Sequence, residues 1–171
     1  MIKISIEQKK IIKKIINTLE NRGLTLSLAE SCTGGLLSSH FISISGVSRI
    51  FELALVPYSN KIKSKILKIS KQKIAKYGAV SREISLEMAS AVSKLSSSDI
   101  NIAITGIAGP NGGTKNKPVG LVFISAVFVN KNKELLKRSY KFKFGKIGRN
   151  VIQNRSVNAS LMIIEKIIKL M

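Results

Sequence analysis

The segment 29–35, Ala-Glu-Ser-Cys-Thr-Gly-Gly, places two candidate nucleophiles beside a pair of glycines. It follows an apolar run at 24–28 and precedes apolar residues at helical spacing from Leu36 onward, which predicts a strand, a tight turn and a helix. Backbone N–H groups at such a turn point outward, with the positive end of a helix dipole behind them. They would hold an anion, or stabilise an oxyanion while Ser31 attacks a carbonyl. A capped helix start explains the same residues, so the segment alone leaves these interpretations open.

A histidine base for this turn is excluded by spacing. His40, the only histidine, follows Ser31 by nine residues in the same predicted helix, about 13 Å along the axis. It is therefore expected to be a surface or core residue, and a Ser-His-Asp triad is not expected within one subunit. One histidine and one cysteine do not supply a zinc site either, so we expect no metal and no cofactor.

The remaining candidate bases are lysine, tyrosine and carboxylate side chains. Tyr58 and Lys61 follow the second predicted strand, where α/β sheets place ligands, and their i, i+3 spacing puts them on one face of a turn. A desolvated lysine has a lowered pKa and accepts a proton from a hydroxyl. Alternatively Lys61 is one more solvated lysine and Tyr58 a packing residue. Cys32 is a rival nucleophile without an evident partner to ionise it, and Glu30 is either a base or a helix cap.

A glycine-rich loop follows the third predicted strand. The residues at 105–113, Thr-Gly-Ile-Ala-Gly-Pro-Asn-Gly-Gly, allow close backbone approach to a ligand but match neither a P-loop nor GxGxxG. A loop as long as 106–118 inside a small domain indicates function, although an ordinary surface loop is the alternative. Arg149 and Arg155 on the last predicted helix either bind an anion or face solvent.

Alternating strands and helices predict one domain over 1–171 with an α/β sandwich fold. A final hairpin, joined by 130–133, makes the sheet mixed by adding one antiparallel strand. Ser5 with Gln8 forms a predicted capping box, Gly23 ends that helix, and Ser70 and Ser81 begin two later helices. The strands are predicted at Leu24–Leu28, Ile50–Val56, Asp99–Thr105, Leu121–Val129 and Glu134–Phe144, and the last helix at Arg149–Met171.

Composition limits the compartment and the partners. One cysteine in 171 residues excludes an intrachain disulfide and is typical of a reducing compartment. The charged N-terminus is not a signal peptide, and no uncharged apolar stretch is long enough for a membrane span, so a cytoplasmic protein without membrane contact is expected. The net charge of +20 favours nucleic acid or anionic partners in principle. Lysine is spread along the chain without interleaved aromatics, which favours compositional bias over nucleic-acid binding.

Five short motifs in order resemble the CinA C-terminal domain family, the nicotinamide-nucleotide amidohydrolases. They are 29–35 and 105–113 as given above, Tyr-Ser-Asn-Lys at 58–61, Gly-Ala-Val-Ser at 78–81 and Lys-Pro-Val-Gly at 117–120. The resemblance runs from about Arg22 into the last helix. It implies a three-layer α/β/α sandwich with a five-stranded mixed sheet, one strand antiparallel, in a stand-alone homodimer.

The implied reaction converts nicotinamide mononucleotide and water to nicotinic acid mononucleotide and ammonia. The small-molecule partner is thus a pyridine nucleotide. The resemblance places the nucleophile at Ser31 and its partners at Tyr58 and Lys61, an arrangement similar to a Ser-Tyr-Lys amidase without histidine or metal. Oxyanion and phosphate contacts are expected from two backbone segments and one arginine: Cys32, Thr33, Gly34, Gly35, Thr105, Gly106, Gly109 and Arg149.

Departures from the family pattern define two alternatives. The second strand reads Phe51-Glu-Leu53-Ala54 where the family usually has Phe-x-Gly-Gly, Ser45 replaces a proline, and Gln153 replaces an arginine. If side chains at 53 and 54 crowd the approach to Tyr58, the chain is a non-catalytic nucleotide-binding protein. A basic nucleic-acid-associated module, with binding that weakens steeply with salt, is the other alternative.

Overall fold

The structure, a computed structural model, describes residues 3–131 and 133–170. The strands, in chain order, are β1 (Leu26–Glu30), β2 (Phe51–Leu55), β3 (Ile100–Gly106), β4 (Leu121–Asn130) and β5 (Lys133–Lys143). The α-helices are α1 (Ile6–Asn21), α2 (Leu36–Ile42), α3 (Asn60–Leu67), α4 (Lys71–Tyr77), α5 (Arg82–Ser96) and α6 (Arg149–Lys169). The predicted hairpin turn includes Asn132, and the predicted last helix ends at Met171; both residues lie outside the described part.

The strands form one mixed sheet in the order β2-β1-β3-β4-β5. β1 pairs in parallel with both β2 and β3, whereas β4 is antiparallel to β3 and β5. The prediction of a five-stranded mixed sheet with one antiparallel strand is confirmed. Because the three parallel strands run the same way, their carboxyl ends meet at one edge of the sheet, where α/β proteins place ligands.

Helices cover both faces of the sheet, so the predicted three-layer sandwich is also confirmed. Apolar side chains of α1, α2 and α6 pack on one face, where Leu28 and Ile102 are fully buried. On the other face the apolar side chains of α3, α4 and α5 pack against residues such as Ala29 and Ala103. The alternation of Leu28 with Ala29 follows from the two-residue period of a strand, which sends successive side chains to opposite faces.

Serine caps begin four of the helices. The Ser5 hydroxyl accepts from the Gln8 amide at 3.1 Å and the Gln8 side chain accepts from the Ser5 amide at 2.9 Å, which confirms the capping box. Ser70 and Ser81 cap α4 and α5 as predicted, and Ser59 caps α3. These caps satisfy amides that a helix start leaves without partners, and so they fix where each helix begins.

β1 lies two residues later than predicted. The amide of Thr25 donates to the Asp99 carboxylate at 2.8 Å, and Thr25 belongs to the connection between α1 and β1. The strand instead continues through Glu30, which is fully buried. The shift leaves Ser31 directly at the carboxyl end of β1. Among the described helices, none combines the length and apolar character that a membrane crossing requires.

Truncating a buried side chain of β1, an interior strand of the sheet, tests this packing. We expect Leu28→Ala to lower the free energy of unfolding by about 2–5 kcal/mol, because it leaves a cavity in a fully buried site. Urea denaturation provides the measurement. Ile42→Ala is the matched control, since Ile42 is 60% exposed and its truncation should change stability by no more than about 0.5 kcal/mol. Equal losses in the two variants would contradict the layer assignment.

Candidate functional site

A cavity of about 240 Å³ opens at the carboxyl ends of the parallel strands. Ser31 and Cys32 after β1, Thr105 and Gly106 at the end of β3, and Lys63 of α3 contribute to its wall. The remaining lining residues come from three loops and the start of α6: Tyr58, Ala79, Val80, Ile107, Ala108, Gly109, Asn111, Gly112 and Arg149. Residues that are distant in sequence therefore meet at the edge where the sheet geometry predicts a site.

A buried amine contacts the Ser31 hydroxyl. The Lys63 Nζ donates to Ser31 Oγ at 3.1 Å, to the Pro57 carbonyl at 2.7 Å and to the Tyr58 carbonyl at 3.1 Å. Lys63 is 1% exposed and Ser31 is 8% exposed. Three oxygen acceptors match the three hydrogens of an ammonium group, and this satisfaction makes the burial of a lysine possible.

Burial also changes how readily Lys63 ionises. Desolvation of the ammonium lowers the pKa of Lys63 from 10.5 to about 8. Because none of the three hydrogen-bond acceptors of Nζ is a carboxylate, they do not compensate the lost hydration with a full negative charge. A lysine with this pKa is partly neutral near physiological pH and is therefore able to accept a proton from a hydroxyl.

The prediction that Lys61 lies beside Ser31 is wrong. Lys61 is exposed, and Lys63 holds that position. The reason is helical geometry: Ser59 caps α3, so Lys61 and Lys63 are separated by about 200° around the axis and face opposite ways. Tyr58 precedes the cap, so the predicted i, i+3 face does not exist. Its carbonyl, rather than its phenol, contacts the buried amine.

Tyr58 has its side chain at the rim of the cavity, 61% exposed. Its hydroxyl accepts from Arg149 Nη2 at 3.4 Å, and Arg149 Nη1 donates to the Gly109 carbonyl at 3.0 Å. Arg149 therefore links Tyr58 to the glycine-rich loop across the opening. The two predicted anion-binding elements, this loop and Arg149, lie in one place. Arg155 is exposed and is not among the lining residues.

The start of α2 is occupied by Glu30. Its carboxylate accepts from the amides of Leu37 and Ser38 at 3.1 and 2.8 Å and from the Ser38 hydroxyl at 2.5 Å. The expectation that the positive end of this helix faces a ligand is therefore wrong, because a carboxylate of the same chain already neutralises it. Of the two interpretations of Glu30, the structure supports the helix cap.

The 31–35 turn retains three amides without hydrogen-bond partners in the described ranges, those of Cys32, Thr33 and Gly35. The amide of Ser31 donates to the Ile104 carbonyl at 2.9 Å and that of Gly34 to the Ser31 carbonyl at 3.1 Å. Thr33, Gly34 and Gly35 do not line the cavity. The predicted set of outward amides is thus smaller than expected, because one amide pairs with β3 and another pairs within the turn.

Cys32 lines the cavity as an un-ionised thiol. Burial raises the pKa of Cys32 to about 12, which removes it as a rival nucleophile. Gly106 makes the close approach of β3 possible: an added Cβ would lie 2.7 Å from Val122 Cγ2, 2.9 Å from the Leu121 carbonyl oxygen and 3.0 Å from Cys32 Sγ. A side chain at Gly106 would therefore push these groups apart.

His40 lies in α2 and is 3% exposed, and neither ring nitrogen has a hydrogen-bond partner among residues 3–131 and 133–170. It is not a lining residue of the cavity, and burial lowers its pKa. This agrees with the expectation of a core residue. Leu53 and Ala54 pack on opposite faces of β2 and do not line the cavity, so the crowding that the non-catalytic alternative assumes is not observed. Among the described residues no cluster of three or more His, Cys, Asp or Glu side chains is placed to hold a metal ion.

Sequence reasoning missed Lys63, the backbone at Ala79 and Val80, and much of the 107–112 lining. The 78–81 motif had no assigned part, yet the Thr105 hydroxyl donates to the Ala79 carbonyl at 2.9 Å and fixes this segment at the cavity. A signal for Lys63 does exist in the sequence. It is four residues before Leu67, so once Ser59 is recognised as the cap, both fall on the inward face of α3.

The comparisons with known proteins agree with this architecture. The family model described as CinA C-terminal domain matches residues 8–168. A CinA-like protein of Kosmotoga olearia is 46% identical over 86% of this chain, and one of Thermosipho melanesiensis is 42% identical over 96%. The matched regions are 34% and 39% of those proteins, so the chain spans little more than a third of their length.

A crystal structure of the competence/damage inducible protein CihA from Agrobacterium tumefaciens has the same fold. It superposes with a TM-score of 0.90 at 32% identity and covers 97% of this chain and 98% of its own. A CinA superfamily protein from Enterobacter cloacae superposes with a TM-score of 0.85 at 29% identity, over 97% of this chain and 95% of its own. On the strength of the family match and these relatives, the chain belongs to the CinA C-terminal domain family.

Proposed function

We propose that this chain is an amidohydrolase that converts nicotinamide mononucleotide to nicotinic acid mononucleotide and ammonia. Ser31 is the nucleophile and Lys63 is the general base. The observation that carries the proposal is the 3.1 Å contact between Lys63 Nζ and Ser31 Oγ inside a cavity large enough for a small ligand. The choice of substrate rests on the family resemblance.

The surroundings of Lys63 favour proton transfer from Ser31. When Lys63 is neutral it has two N–H groups and one lone pair. The Pro57 and Tyr58 carbonyls only accept hydrogen bonds, so they take both N–H groups. The lone pair then faces the Ser31 hydroxyl. Two backbone carbonyls thus orient the base, which is the role that a carboxylate has toward histidine in a serine triad.

The reaction proceeds in two steps, acylation of Ser31 and hydrolysis of the acyl group. In the first, Ser31 Oγ bonds to the carboxamide carbon while its proton passes to Lys63 Nζ, and the resulting ammonium returns that proton to the departing nitrogen, which leaves as ammonia. In the second, Lys63 takes a proton from water, whose oxygen attacks the acyl carbon. The bond to Ser31 breaks, its oxygen regains a proton from Lys63, and the product forms as a carboxylic acid that loses its proton to ammonia or water and leaves as a carboxylate.

The amide of Cys32 is a candidate donor to the oxyanion. Cys32 follows the nucleophile directly and lines the cavity, and its amide has no hydrogen-bond partner in the described part of the chain. Removing one such donor costs about 3 kcal/mol of transition-state stabilisation in enzymes of this kind. The desolvation that lowers the pKa of Lys63 also strengthens this hydrogen bond.

The rim of the cavity supports binding of a phosphate. Lys63 and Arg149 are the charged side chains among the lining residues, and the lining includes no carboxylate. Arg149 lies beside the glycine-rich loop, whose Gly109 carbonyl it contacts at 3.0 Å. A nucleotide with its carboxamide at Ser31 would place its phosphate toward this end. The homodimer implied by the resemblance and the cytoplasmic location expected from the composition stay predictions.

Ammonia release from nicotinamide mononucleotide tests the activity directly. We expect the purified wild-type chain to release ammonia and Ser31→Ala to release none above the uncatalysed rate, because the nucleophile is missing. The melting temperature of Ser31→Ala should stay close to that of the wild type. Equal release by both proteins would exclude the mechanism.

A comparison of two neighbouring lysines tests the assignment of the base. Lys63→Met should reduce kcat by about 10³-fold or more, because the nucleophile loses the group that activates it. Lys61→Met removes the same charge from an exposed site two residues away and should keep near wild-type kcat. A melting curve confirms that both variants fold. Loss of activity in Lys61→Met with activity retained in Lys63→Met would reverse the assignment.

The pH dependence of kcat/KM should report Lys63. The pKa of this base is lowered to about 8, and only the neutral form accepts a proton. At pH 7 about a tenth of the molecules carry neutral Lys63, so kcat/KM should rise about tenfold per unit below this pKa and level off above it. Initial rates measured from about pH 6 to about pH 9.5 provide this profile. A rate that falls through this range would contradict the assignment.

A further inference from the structure

A second cavity, of about 460 Å³, lies beside the cavity at Ser31, which is called the catalytic cavity below. Ala79 lines the catalytic cavity, Ser81 lines the second cavity, and Val80 lines both, so the segment 79–81 forms the wall between them. Two sequence motifs without a part in the proposed reaction therefore meet here. The 78–81 motif supplies the wall, and the 117–120 motif contributes Lys117 to the lining.

Hydrogen bonds from both sides anchor this wall. The Thr105 hydroxyl donates to the Ala79 carbonyl at 2.9 Å from the side of the catalytic cavity. The Lys117 Nζ donates to the Tyr77 carbonyl at 2.6 Å from the side of the second cavity. The second cavity is therefore formed before a ligand enters it, which reduces the ordering cost of binding.

The floor of the second cavity follows from the register of the sheet. Thr105 of β3, Phe123 of β4 and Lys141 of β5 stand opposite one another in one row. Residues directly opposite share a face of the sheet, so this row continues from the catalytic cavity, which Thr105 lines, into the second cavity. Leu121 lies two residues before Phe123 on the same face, and together with Val80 these side chains make the floor apolar.

Cations surround the apolar floor. Arg82, Lys117 and Lys141 line the second cavity, and Glu83 adds a carboxylate. Within residues 3–131 and 133–170, none of these three cations forms an ion pair with a carboxylate. The Lys141 Nζ lies 6.0 Å from the centroid of the Phe123 ring, which is partly exposed. A positive charge and an aromatic face are thus available side by side.

We propose that the second cavity binds a nucleoside monophosphate at a site separate from the one at Ser31. The aromatic base packs on the floor at Phe123, because an aromatic ring buries much apolar area in one plane. The phosphate lies among the cations, where Arg82 and Lys141 donate to its oxygens. Lys117 has two further N–H groups, since one of its three is used by the Tyr77 carbonyl. The volume is within the range of small-molecule sites.

Calorimetric titration of the purified full chain with adenosine 5′-monophosphate, in about 0.15 M salt, tests this site. We expect the nucleotide to bind at least about tenfold more tightly than adenosine or inorganic phosphate, because each of these keeps only one of the two kinds of contact. Lys141→Glu should weaken nucleotide binding by about tenfold or more, because a repelling charge replaces an attracting one.

Lys94→Glu is the matched control for charge. Lys94 is exposed near the other end of α5, about 18 Å along the axis from Arg82, and is not a lining residue of the second cavity. The substitution changes the net charge of the chain by the same amount and should alter nucleotide binding by less than about twofold, because its charge is screened at this distance. Melting curves establish that both variants fold.

A third variant identifies which cavity holds the nucleotide. Arg149→Met removes a cation from the catalytic cavity and should leave binding of adenosine 5′-monophosphate within about twofold, because Arg149 does not line the second cavity. Binding is measured without turnover, so a chain that binds the nucleotide but releases no ammonia would disprove the amidohydrolase and support this site.

Four results would overturn the inference. They are no binding of the nucleotide, equal affinity for the nucleotide and one of its two fragments, equal losses in Lys141→Glu and Lys94→Glu, and a loss in Arg149→Met at least as large as that in Lys141→Glu. The third would show general attraction to a basic surface, and the fourth would place the nucleotide in the catalytic cavity.

Discussion

The arrangement of the site depends on burying the amine of Lys63. An unpaired ammonium in a protein interior costs several kcal/mol, and here three oxygens at 2.7 to 3.1 Å offset that cost. Two of these oxygens belong to the connection between β2 and α3. The third belongs to the turn after β1. The amine therefore joins two separate strand ends, and its position fixes Ser31 relative to the backbone that follows β2.

The orientation of α3 reflects this constraint. A helix of this composition would bury its isoleucines if hydrophobic contact alone decided its rotation. Instead Ile62 and Ile66 are 36% and 41% exposed, while Lys63 and Leu67 face inward. The helix gives up part of its apolar burial and places a cation beside Ser31. Such an exchange, with a polar group inside and apolar groups outside, is typical of positions that serve function rather than stability.

Glu30 complements this amine at the other end of the turn. It is fully buried and has no cation partner in the described ranges, and the two amides and one hydroxyl that donate to it replace its hydration. The turn is therefore held at both ends: the Glu30 carboxylate bonds to the start of α2, and the Lys63 amine bonds to Ser31. Residues 32 and 33 are left between these anchors, where Gln153 of α6 donates to the Cys32 carbonyl at 2.8 Å and supplies the remaining restraint.

The sequence was informative where a local rule decides the structure. Serine caps, a glycine stop and strand alternation predicted the sheet and most helix boundaries to within one or two residues. The rules failed where a charged side chain is buried. β1 continues through Glu30 because the Glu30 carboxylate accepts hydrogen bonds from α2, a helix that follows it in the sequence. Lys63 was missed because its acceptors include Ser31, 32 residues away, and hydrophobic periodicity treats every lysine as exposed.

The net charge of +20 affects how an anionic ligand reaches this site but not how the site holds it. Solvent-exposed charges are screened over roughly 10 Å at 0.1 M salt, so the surface lysines do not fix a ligand in the cavity. They attract anions over the whole surface and raise the rate of encounter. Within the cavity the selection is local, since Lys63 is committed to Ser31 and two carbonyls and Arg149 is the cation left at the rim. High salt should therefore slow the arrival of an anionic substrate more than it weakens the proton transfer between Lys63 and Ser31, because that pair is buried.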